Sequence, residues 1–327
     1  MKISVALCTY NGVKYIEEQL NSILEQTKLP DEIVVCDDCS TDNTVPVIRR
    51  ALESYTGKLL LVTNPQNIGY KKNFAQSISL CSGDIVFLSD QDDVWAKNKI
   101  AVVNSAFQNN QRAVLVFHDA ILVDKQLKLL YKSFWQTLEF EPRKFLCHDY
   151  NILLEKNVVQ GSACAFRKKV FYKALPFPIE AIHDEWLALT AVAEGEIVPI
   201  AQPLMKYRQS SDNALGGLPI SFIDKIKSWT TNIKNAVDYH FGELLRRAAF
   251  YDVYSKKNYN DSELVKKLDF LSYDNFLKKR VFCIENRDSY IIMLFPTYLR
   301  LYIYKRNAIK MFLRDLLAMY FCKGKTL

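Results

Sequence analysis

The first 117 residues alternate short apolar runs with segments whose apolar residues recur at helical spacing. Runs rich in Ile, Val and Leu predict β-strands, whereas apolar residues three or four positions apart predict α-helices. Strands are predicted at 3–7, 33–36, 59–62, 85–88 and 114–117. Helices are predicted between them, at 16–24, 42–52, 73–80 and 97–107. Short apolar strands separated by helices are typical of an α/β protein whose parallel sheet is covered on both faces.

Polar segments follow four successive predicted strands. In parallel sheets of this kind, ligands bind beyond the carboxyl ends of the strands. The segments are 8–12, 37–42, 64–70 and 89–93, and two of them are rich in Asp. One polar loop would indicate little, because surface loops are commonly polar. Four such segments at one edge of one sheet predict a binding site.

Asp90 and Asp92 are separated by one residue at the end of the fourth predicted strand. Two carboxylates at this spacing can hold Mg²⁺ or Mn²⁺, with substrate phosphates completing the coordination. Such an ion would neutralise negative charge that develops on a departing diphosphate. The alternative is a helix start, because Asp93 precedes a helical run predicted from near Trp95 and Asp is a favoured N-cap residue.

The loops after the first two strands exclude two classes of nucleotide-binding protein. A dinucleotide-binding sheet needs G-x-G-x-x-G after its first strand, where this chain has CTYNGVKY. The chain also lacks the G-x-x-x-x-G-K-[ST] loop of P-loop proteins. Thr9, Tyr10 and Asn11 either present a hydroxyl, a ring and an amide to a nucleobase or simply form a turn. Asp38 follows the second strand, where an acid can bond a ribose hydroxyl.

Four motifs in order along the chain resemble those of family 2 glycosyltransferases, which have the GT-A fold. They are VALCTYNG at 5–12, VVCDDCSTDNT at 34–44, NIG at 67–69 and LSDQDDVW at 88–95. The string SDQDDVW is most similar to rhamnosyltransferase-type members. The resemblance covers about residues 1–215, with a nucleotide-sugar half at 1–95 and an acceptor half at 96–215. A helical, basic C-terminal region is expected at 216–327.

The resemblance implies donor-binding roles for matching residues. Contacts with the base and ribose of the nucleotide sugar are expected from Thr9, Tyr10, Asn11 and Asp38. The donor pocket is expected to include Asn67, Gly69 and Asn73, with Asp90 facing the ribose or the sugar. Asp92 is the expected ligand of Mn²⁺ or Mg²⁺. Arg208 is expected to contact the diphosphate, since a guanidinium suits that group.

A second set of matching residues concerns the acceptor. The segment IHDEWL at 182–187 resembles the family motif that carries the catalytic base at the start of a helix. Asp184 is the expected base, Glu185 is its nearest rival, and Trp186 is expected on the same acceptor side. Gln160 belongs to a QGS string where the family has an acceptor-side loop. Without the resemblance, these segments would predict an acidic helix start and an ordinary turn.

One position departs from the family pattern. Related chains usually carry His after a Tyr-Arg-Gln triplet, as a further metal ligand, whereas this chain has Ser210 there. This difference has three possible consequences. The metal ion could bind more weakly, Asp212 could replace the missing His as a ligand, or activity could be reduced or absent. The alternative to an active enzyme is therefore a degenerate, non-catalytic subunit that binds nucleotide or glycan. A nucleotidyltransferase is less favoured, because no basic Gly-rich loop follows the first strand.

The charge of the chain is concentrated near its C-terminus. The formal net charge is +7, and residues 278–327 contain eleven Lys and Arg against three Asp and Glu. Helices are predicted at 222–237 and 242–254, and 290–321 has no apolar run long enough to span a bilayer. Residues 290–321 could form an amphipathic helix that lies on an anionic membrane, or a helix that packs against protein. No nucleic-acid recognition motif accompanies the basic residues, so nucleic acid is not an expected partner.

Together with the residues at the strand ends, the resemblance implies an inverting glycosyltransferase. The expected donor is a dTDP- or UDP-sugar, with rhamnose as a candidate sugar, and the expected acceptor is a polysaccharide or a lipid-linked glycan. The N-terminal residues show no secretory signal pattern. We therefore expect a cytoplasmic protein, peripheral at the inner face of the membrane if its C-terminal helices contact lipid.

Overall fold

The structure, a computed structural model, describes residues 1–178, 181–209, 270–286, 291, 294, 311–313, 315 and 316. These residues divide into two compact units. The first unit contains residues 1–148, 157–177 and 182–209. The second contains residues 149–156, 178 and 181 and the described residues from 270 onward. The domain boundary predicted near residue 215 lies outside the described residues.

A mixed sheet of nine strands, counted within the described residues, forms the framework of the first unit. The strands are β1 Ile3–Thr9, β2 Glu32–Asp37, β3 Lys58–Thr63, β4 Ile85–Ser89, β5 Val94–Trp95, β6 Ala113–Val123, β7 Leu129–Tyr131, β8 Cys164–Arg167 and β9 Glu196–Arg208. Their order in the sheet is β3-β2-β1-β4-β8-β6-β9-β5, and β7 pairs with β6. The predicted parallel pairing is confirmed for β1 to β4. The later strands are mixed, since β8 runs antiparallel to both β4 and β6.

Helices connect most of these strands. In chain order they are α1 Ile16–Leu24, α2 Thr44–Ala51, α3 Tyr70–Leu80, α4 Lys99–Asn109, α5 Phe134–Thr137, α6 Arg143–Leu146, α7 Ile152–Glu155, α8 Lys168–Ala174, α9 His183–Glu194 and α10 Phe270–Asn286. A short 3₁₀ turn at Gly161–Ala163 precedes β8. α7 and α10 belong to the second unit. All nine elements predicted between residues 3 and 117 are present, with ends that differ by a few residues.

Burial explains why the apolar runs form strands. Every residue of β1, β2 and β4 is buried. β1 lies between β2 and β4, so both of its edges are paired with other strands. α1 buries Ile16, Leu20 and Ile23, which recur at helical spacing and join the apolar cluster around the sheet. Because β1 pairs in parallel with both β2 and β4, the carboxyl ends of the three strands lie side by side.

The strand β5 corrects the interpretation of Asp93 as a helix cap. The helical run predicted from near Trp95 is wrong at its start, because Val94–Trp95 pairs with β9. α4 begins at Lys99, and Asn98 occupies its N-cap position. Asp93 is instead fully buried, and its Oδ1 accepts a hydrogen bond from the backbone N–H of Arg208 at 3.3 Å. Two apolar residues fit a short strand as well as a first helical turn, so periodicity could not separate them.

The described part of the second unit includes a buried ion pair. Arg280 of α10 donates from Nε and Nη2 to the carboxylate of Asp315, at 2.5 and 3.0 Å. Both side chains are at most 1% exposed, so this basic residue does not face solvent. None of the described helices is long and apolar enough to cross a membrane. The helices predicted at 222–237 and 242–254 lie outside the described residues, and membrane-surface contact stays a prediction.

Candidate active site

A cavity of about 430 Å³ lies at the carboxyl ends of β1, β2 and β4. This volume is within the range of small-molecule sites, roughly 300–1,000 Å³. The first 95 residues contribute Cys8, Thr9, Tyr10, Asp38, Asn67, Gly69, Tyr70, Asn73, Phe74, Asp90, Gln91 and Asp92. The later part of the chain contributes Gln160, Gly161, His183, Asp184 and Tyr207. Residues far apart in the sequence thus share one concave surface.

Most of the predicted site residues line this cavity. They are Thr9, Tyr10, Asp38, Asn67, Gly69, Asn73, Asp90, Asp92, Gln160 and Asp184. Four other predicted residues do not line it, namely Asn11, Glu185, Trp186 and Arg208. Ser210 and Asp212 lie outside the described residues. The individual roles assigned to all of these residues stay predictions.

Asp38 shapes the loop between β3 and α3. Its Oδ1 accepts hydrogen bonds from the N–H of Ile68 at 2.8 Å and from Nδ2 of Asn64 at 2.9 Å. Its Oδ2 accepts from the N–H of Gly69 at 2.9 Å. Gly69 has φ +84°, a left-handed conformation that favours glycine. Asp38 therefore holds the loop between β3 and α3 in place as well as lining the cavity.

The loop after β1 is fixed by two amide side chains. Gln91 accepts from the N–H of Tyr10 at 2.8 Å and donates to its carbonyl at 3.0 Å. Asn11 has φ +48°, and its Oδ1 accepts from the N–H of Thr41 at 2.8 Å. The Asn11 amide is thus engaged with the loop after β2. Tyr10 is 46% exposed, so its ring is accessible at the rim of the cavity.

Asp90 and Asp92 concentrate negative charge at the end of β4. Burial raises the pKa of Asp90, and the negative charges of Asp92 and Asp184 raise it further. Burial also raises the pKa of Asp92. No cluster of three or more His, Cys, Asp or Glu side chains that could hold a metal ion occurs among the described residues. An ion at this pair would therefore need substrate oxygens to complete its coordination.

Asp184 lies in the first turn of α9 and is 8% exposed. Its Oδ2 accepts a hydrogen bond from the N–H of Gly161 at 2.9 Å. Its Oδ1 accepts from Nδ2 of Asn157 at 2.9 Å and from the N–H of Glu185 at 2.7 Å. Burial raises the pKa of Asp184 to about 7. A carboxyl group with that pKa can accept a proton near neutral pH and is held in one orientation.

The neighbours of Asp184 point elsewhere. Glu185 is 2% exposed and is not part of the cavity lining. Trp186 is 1% exposed, and its Nε1 donates to the carbonyl of Ala174 at 2.6 Å. Asp184 and Glu185 are the two candidates for the base, and only Asp184 lines the cavity.

Arg208 is committed to contacts within the protein. It is 2% exposed, and its Nε donates to the carbonyl of Asp92 at 2.8 Å. Nη1 donates to the carbonyl of Lys125 at 2.6 Å, and Nη2 pairs with Glu18. Its guanidinium also lies 4.4 Å from the ring centroid of Tyr15. Arg208 thus holds the backbone that presents Asp92, while its contact with a diphosphate stays a prediction.

A buried lysine contacts the Gly161–Ala163 turn. Lys99 is fully buried, and its Nζ donates to the carbonyl of Ser162 at 2.5 Å. The same Nζ lies 3.7 Å above the ring of Trp95. Burial lowers the pKa of Lys99 to about 7. This contact fixes the Gly161–Ala163 turn, whose first N–H reaches Asp184.

Several residues that line the cavity were not predicted as site residues. They are Cys8, Tyr70, Phe74, Gln91, Gly161, His183 and Tyr207. Gln91 lies between Asp90 and Asp92 in the sequence. It could have been predicted by the same reasoning, because it too follows the carboxyl end of a parallel strand. Tyr207 lies on β9, which the apolar pattern did not predict. His183 belongs to the recognised HDEW segment, but nothing in the sequence indicated that its ring faces the cavity.

Comparison with known proteins gives a family. The model for Glycosyl transferase family 2 matches residues 4–175, more than half of the 327 residues. The dTDP-rhamnosyl transferase RfbG of Shigella flexneri is 30% identical over 236 residues, which cover 68% of this chain and 77% of that protein. The chain spans 64% of the length of the mycobacterial relatives that it matches at 26% identity.

Two solved structures share the fold at 17% identity. TarS of Staphylococcus aureus in complex with UDP has a TM-score of 0.56, covering 97% of this chain and 81% of that one. The mannosyltransferase PcManGT of Pyrobaculum calidifontis, in complex with GDP-Man and Mn²⁺, has a TM-score of 0.54, covering 98% and 86%. The fold is therefore that of GT-A glycosyltransferases, and the chain belongs to glycosyl transferase family 2.

Proposed function

We propose that this chain is an inverting glycosyltransferase that moves a sugar from a nucleotide sugar to a polysaccharide or a lipid-linked glycan. One observation carries the proposal. A single cavity is lined both by the acidic end of β4, with Asp90 and Asp92, and by Asp184. Asp90 and Asp92 could hold a cation that binds the departing diphosphate of a donor. Asp184 could accept the proton of an acceptor hydroxyl.

The donor is proposed to be a dTDP- or UDP-sugar. Thr9, Tyr10 and Asp38 lie at the ends of β1 and β2, where a nucleoside would fit between the exposed Tyr10 ring and the Asp38 loop. Rhamnose is a candidate sugar, since a relative at 30% identity is described as a dTDP-rhamnosyl transferase. Asn67, Gly69 and Asn73 would contact the donor from the loop before α3 and from its first turn.

The acidic pair fits a divalent cation. The charge of Asp92 contributes to the raised pKa of Asp90, and a cation between them would relieve this repulsion. Asp92, with Asp90 beside it, would hold Mn²⁺ or Mg²⁺, and diphosphate oxygens would supply further ligands. When bound, the ion would neutralise charge on the leaving diphosphate. Mn²⁺ together with GDP-Man in a structural neighbour is consistent with this assignment.

Asp184 is proposed to be the general base. Its carboxylate would take the proton of the acceptor hydroxyl while that oxygen attacks the anomeric carbon. The bond from the anomeric carbon to the diphosphate oxygen breaks, and the diphosphate leaves with the electron pair. Because attack and departure occur on opposite faces, the anomeric configuration is inverted. The hydrogen bonds from Gly161 and Asn157 would hold the carboxylate in position for this step.

The pH dependence of donor turnover tests the base. Burial raises the pKa of Asp184 to about 7, so its carboxyl group is protonated below that pH and cannot accept a proton. We therefore expect the rate to rise as the pH increases through about 7. Release of nucleoside diphosphate from a sugar nucleotide, followed across the neutral range, measures this. A rate that falls with rising pH, or that does not change, would contradict the assignment.

A further inference from the structure

The ring of His183 is the most unusual polar group in the wall of the cavity. It is 7% exposed and stacks on Phe74, with ring centroids 4.2 Å apart and planes at 14°. Tyr70 meets it edge-on, with centroids 6.1 Å apart. Neither ring nitrogen has a hydrogen-bond partner among the described residues. Buried polar atoms are costly when unpaired, so such a group calls for an explanation.

The charge state of the ring limits what it can bind. Burial lowers the pKa of His183 to about 3, with a smaller contribution from the cation of Lys71. The imidazole is therefore neutral at physiological pH and offers one N–H donor and one nitrogen acceptor. A hydroxyl group also donates one hydrogen bond and accepts others, whereas a phosphate chiefly accepts. The donor and the acceptor of the His183 ring therefore complement a hydroxyl group better than the diphosphate.

A second buried polar atom lies in the adjoining turn. The side-chain Oε1 of Gln160 has no hydrogen-bond partner in the described part of the chain, and Gln160 lines the same cavity. The next residue, Gly161, has no side chain to fill the space between Gln160 and the neighbouring His183 and Asp184. A Cβ atom at Gly161 would lie 3.1 Å from Nε2 of His183 and 3.5 Å from Oδ2 of Asp184. The imidazole edge, the Gln160 amide and the Asp184 carboxylate are therefore grouped around a residue without a side chain.

We propose that His183, with Gln160 beside it, binds a hydroxyl of the sugar that is being transferred and so helps to select the donor. This inference rests on the proposed glycosyl transfer. The donor is favoured over the acceptor because the ring packs on Phe74 and Tyr70 of α3, the helix that also presents Asn73 to the cavity. A site built to bond a hydroxyl discriminates against analogues that lack it, because its buried polar atoms are then left unpaired.

Substituting His183 with Phe separates this role from packing. Phenylalanine keeps the stack on Phe74 and removes both unpaired nitrogens, so the melting temperature should be unchanged or higher. If the ring only filled space, His183→Phe would also leave donor recognition unchanged. His183→Gln, which keeps a donor and an acceptor, should recover part of the recognition and serves as a second variant.

The affinity of each variant is measured for dTDP, dTDP-rhamnose, UDP and UDP-glucose with Mn²⁺ present. We expect His183→Phe to bind dTDP and UDP as the wild type does. The ratio of sugar-nucleotide affinity to nucleotide affinity should fall about tenfold for the preferred donor, the loss of about one hydrogen-bonded group. The kcat/KM for hydrolysis of that donor should fall by a similar factor.

The outcomes distinguish the inference from the function on which it rests. A wild-type chain that turns over a donor, with His183→Phe giving the same affinity ratio and the same kcat/KM, overturns the inference alone. An effect of His183→Phe confined to the use of the acceptor also overturns it. A wild-type chain that neither binds nor turns over any sugar nucleotide removes the proposed function and the inference together.

Discussion

Replacing Asp184 with Asn should lower the rate of sugar transfer by about a thousandfold, within the range that general-base groups contribute. Asparagine keeps an acceptor oxygen for the Asn157 amide and the N–H of Glu185, but its NH2 group would face the N–H of Gly161, so we expect a folded protein of somewhat lower stability. It cannot take a proton from the acceptor hydroxyl, which is the step assigned to the carboxylate. The measurements are steady-state transfer for activity and thermal unfolding for the fold.

Glu185→Gln is the matched control for that substitution. It makes the same change of charge at the next residue, which is also buried but is not part of the cavity lining. We expect its transfer rate to stay within about tenfold of the wild type, well short of the loss of a general base. The reverse result, an inactive Glu185→Gln and an active Asp184→Asn, would assign the base to Glu185.

Replacing Asp92 with Asn should remove most of the effect of the metal ion on donor binding. In the wild type, a sugar nucleotide should raise the melting temperature more with Mn²⁺ than without it, because a ligand that binds only the folded state stabilises it. In Asp92→Asn this difference should largely disappear, and turnover should fall about a hundredfold, since the ion stabilises the leaving group.

Asp93→Asn provides the neighbouring control. Asp93 is fully buried and outside the cavity lining, and an amide there can still accept from the N–H of Arg208. The Mn²⁺-dependent shift should survive this change. A wild-type shift that Asp92→Asn leaves intact would mean that Asp92 does not ligate the ion.

Three strands of the first half, β1, β2 and β4, could be predicted from their apolar runs because every residue in them is buried. β1, β2 and β4 lie in the middle of the sheet, so their apolar runs are short and nearly uninterrupted. The later strands gave weaker signals. β8 has four residues, and β9 contains two prolines and mixes buried, half-buried and exposed positions without regular alternation. A strand that is short or irregular in its apolar pattern gives little local signal, so its formation depends on the segments with which it pairs.

The candidate site divides in the same way. Asp38, Asp90 and Asp92 were found because residues that follow parallel strands share an edge of the sheet. Asp184 was found only through the resemblance, since its place at the cavity depends on how α9 packs. His183 and Tyr207 were missed because the direction of a side chain is set by packing. The contacts of Arg208 with Asp92, Lys125 and Glu18 likewise depend on the tertiary structure.

The most direct test of the account is turnover of sugar nucleotides by the purified wild-type chain. A panel of dTDP-, UDP- and GDP-sugars is incubated with the protein and Mn²⁺ or Mg²⁺, with and without a polysaccharide or lipid-linked glycan acceptor, and released nucleoside diphosphate is measured. We expect steady release from one donor, lost in Asp184→Asn and retained in Glu185→Gln. Binding of a sugar nucleotide by the folded protein with no release under any of these conditions would contradict it and favour a non-catalytic binding subunit.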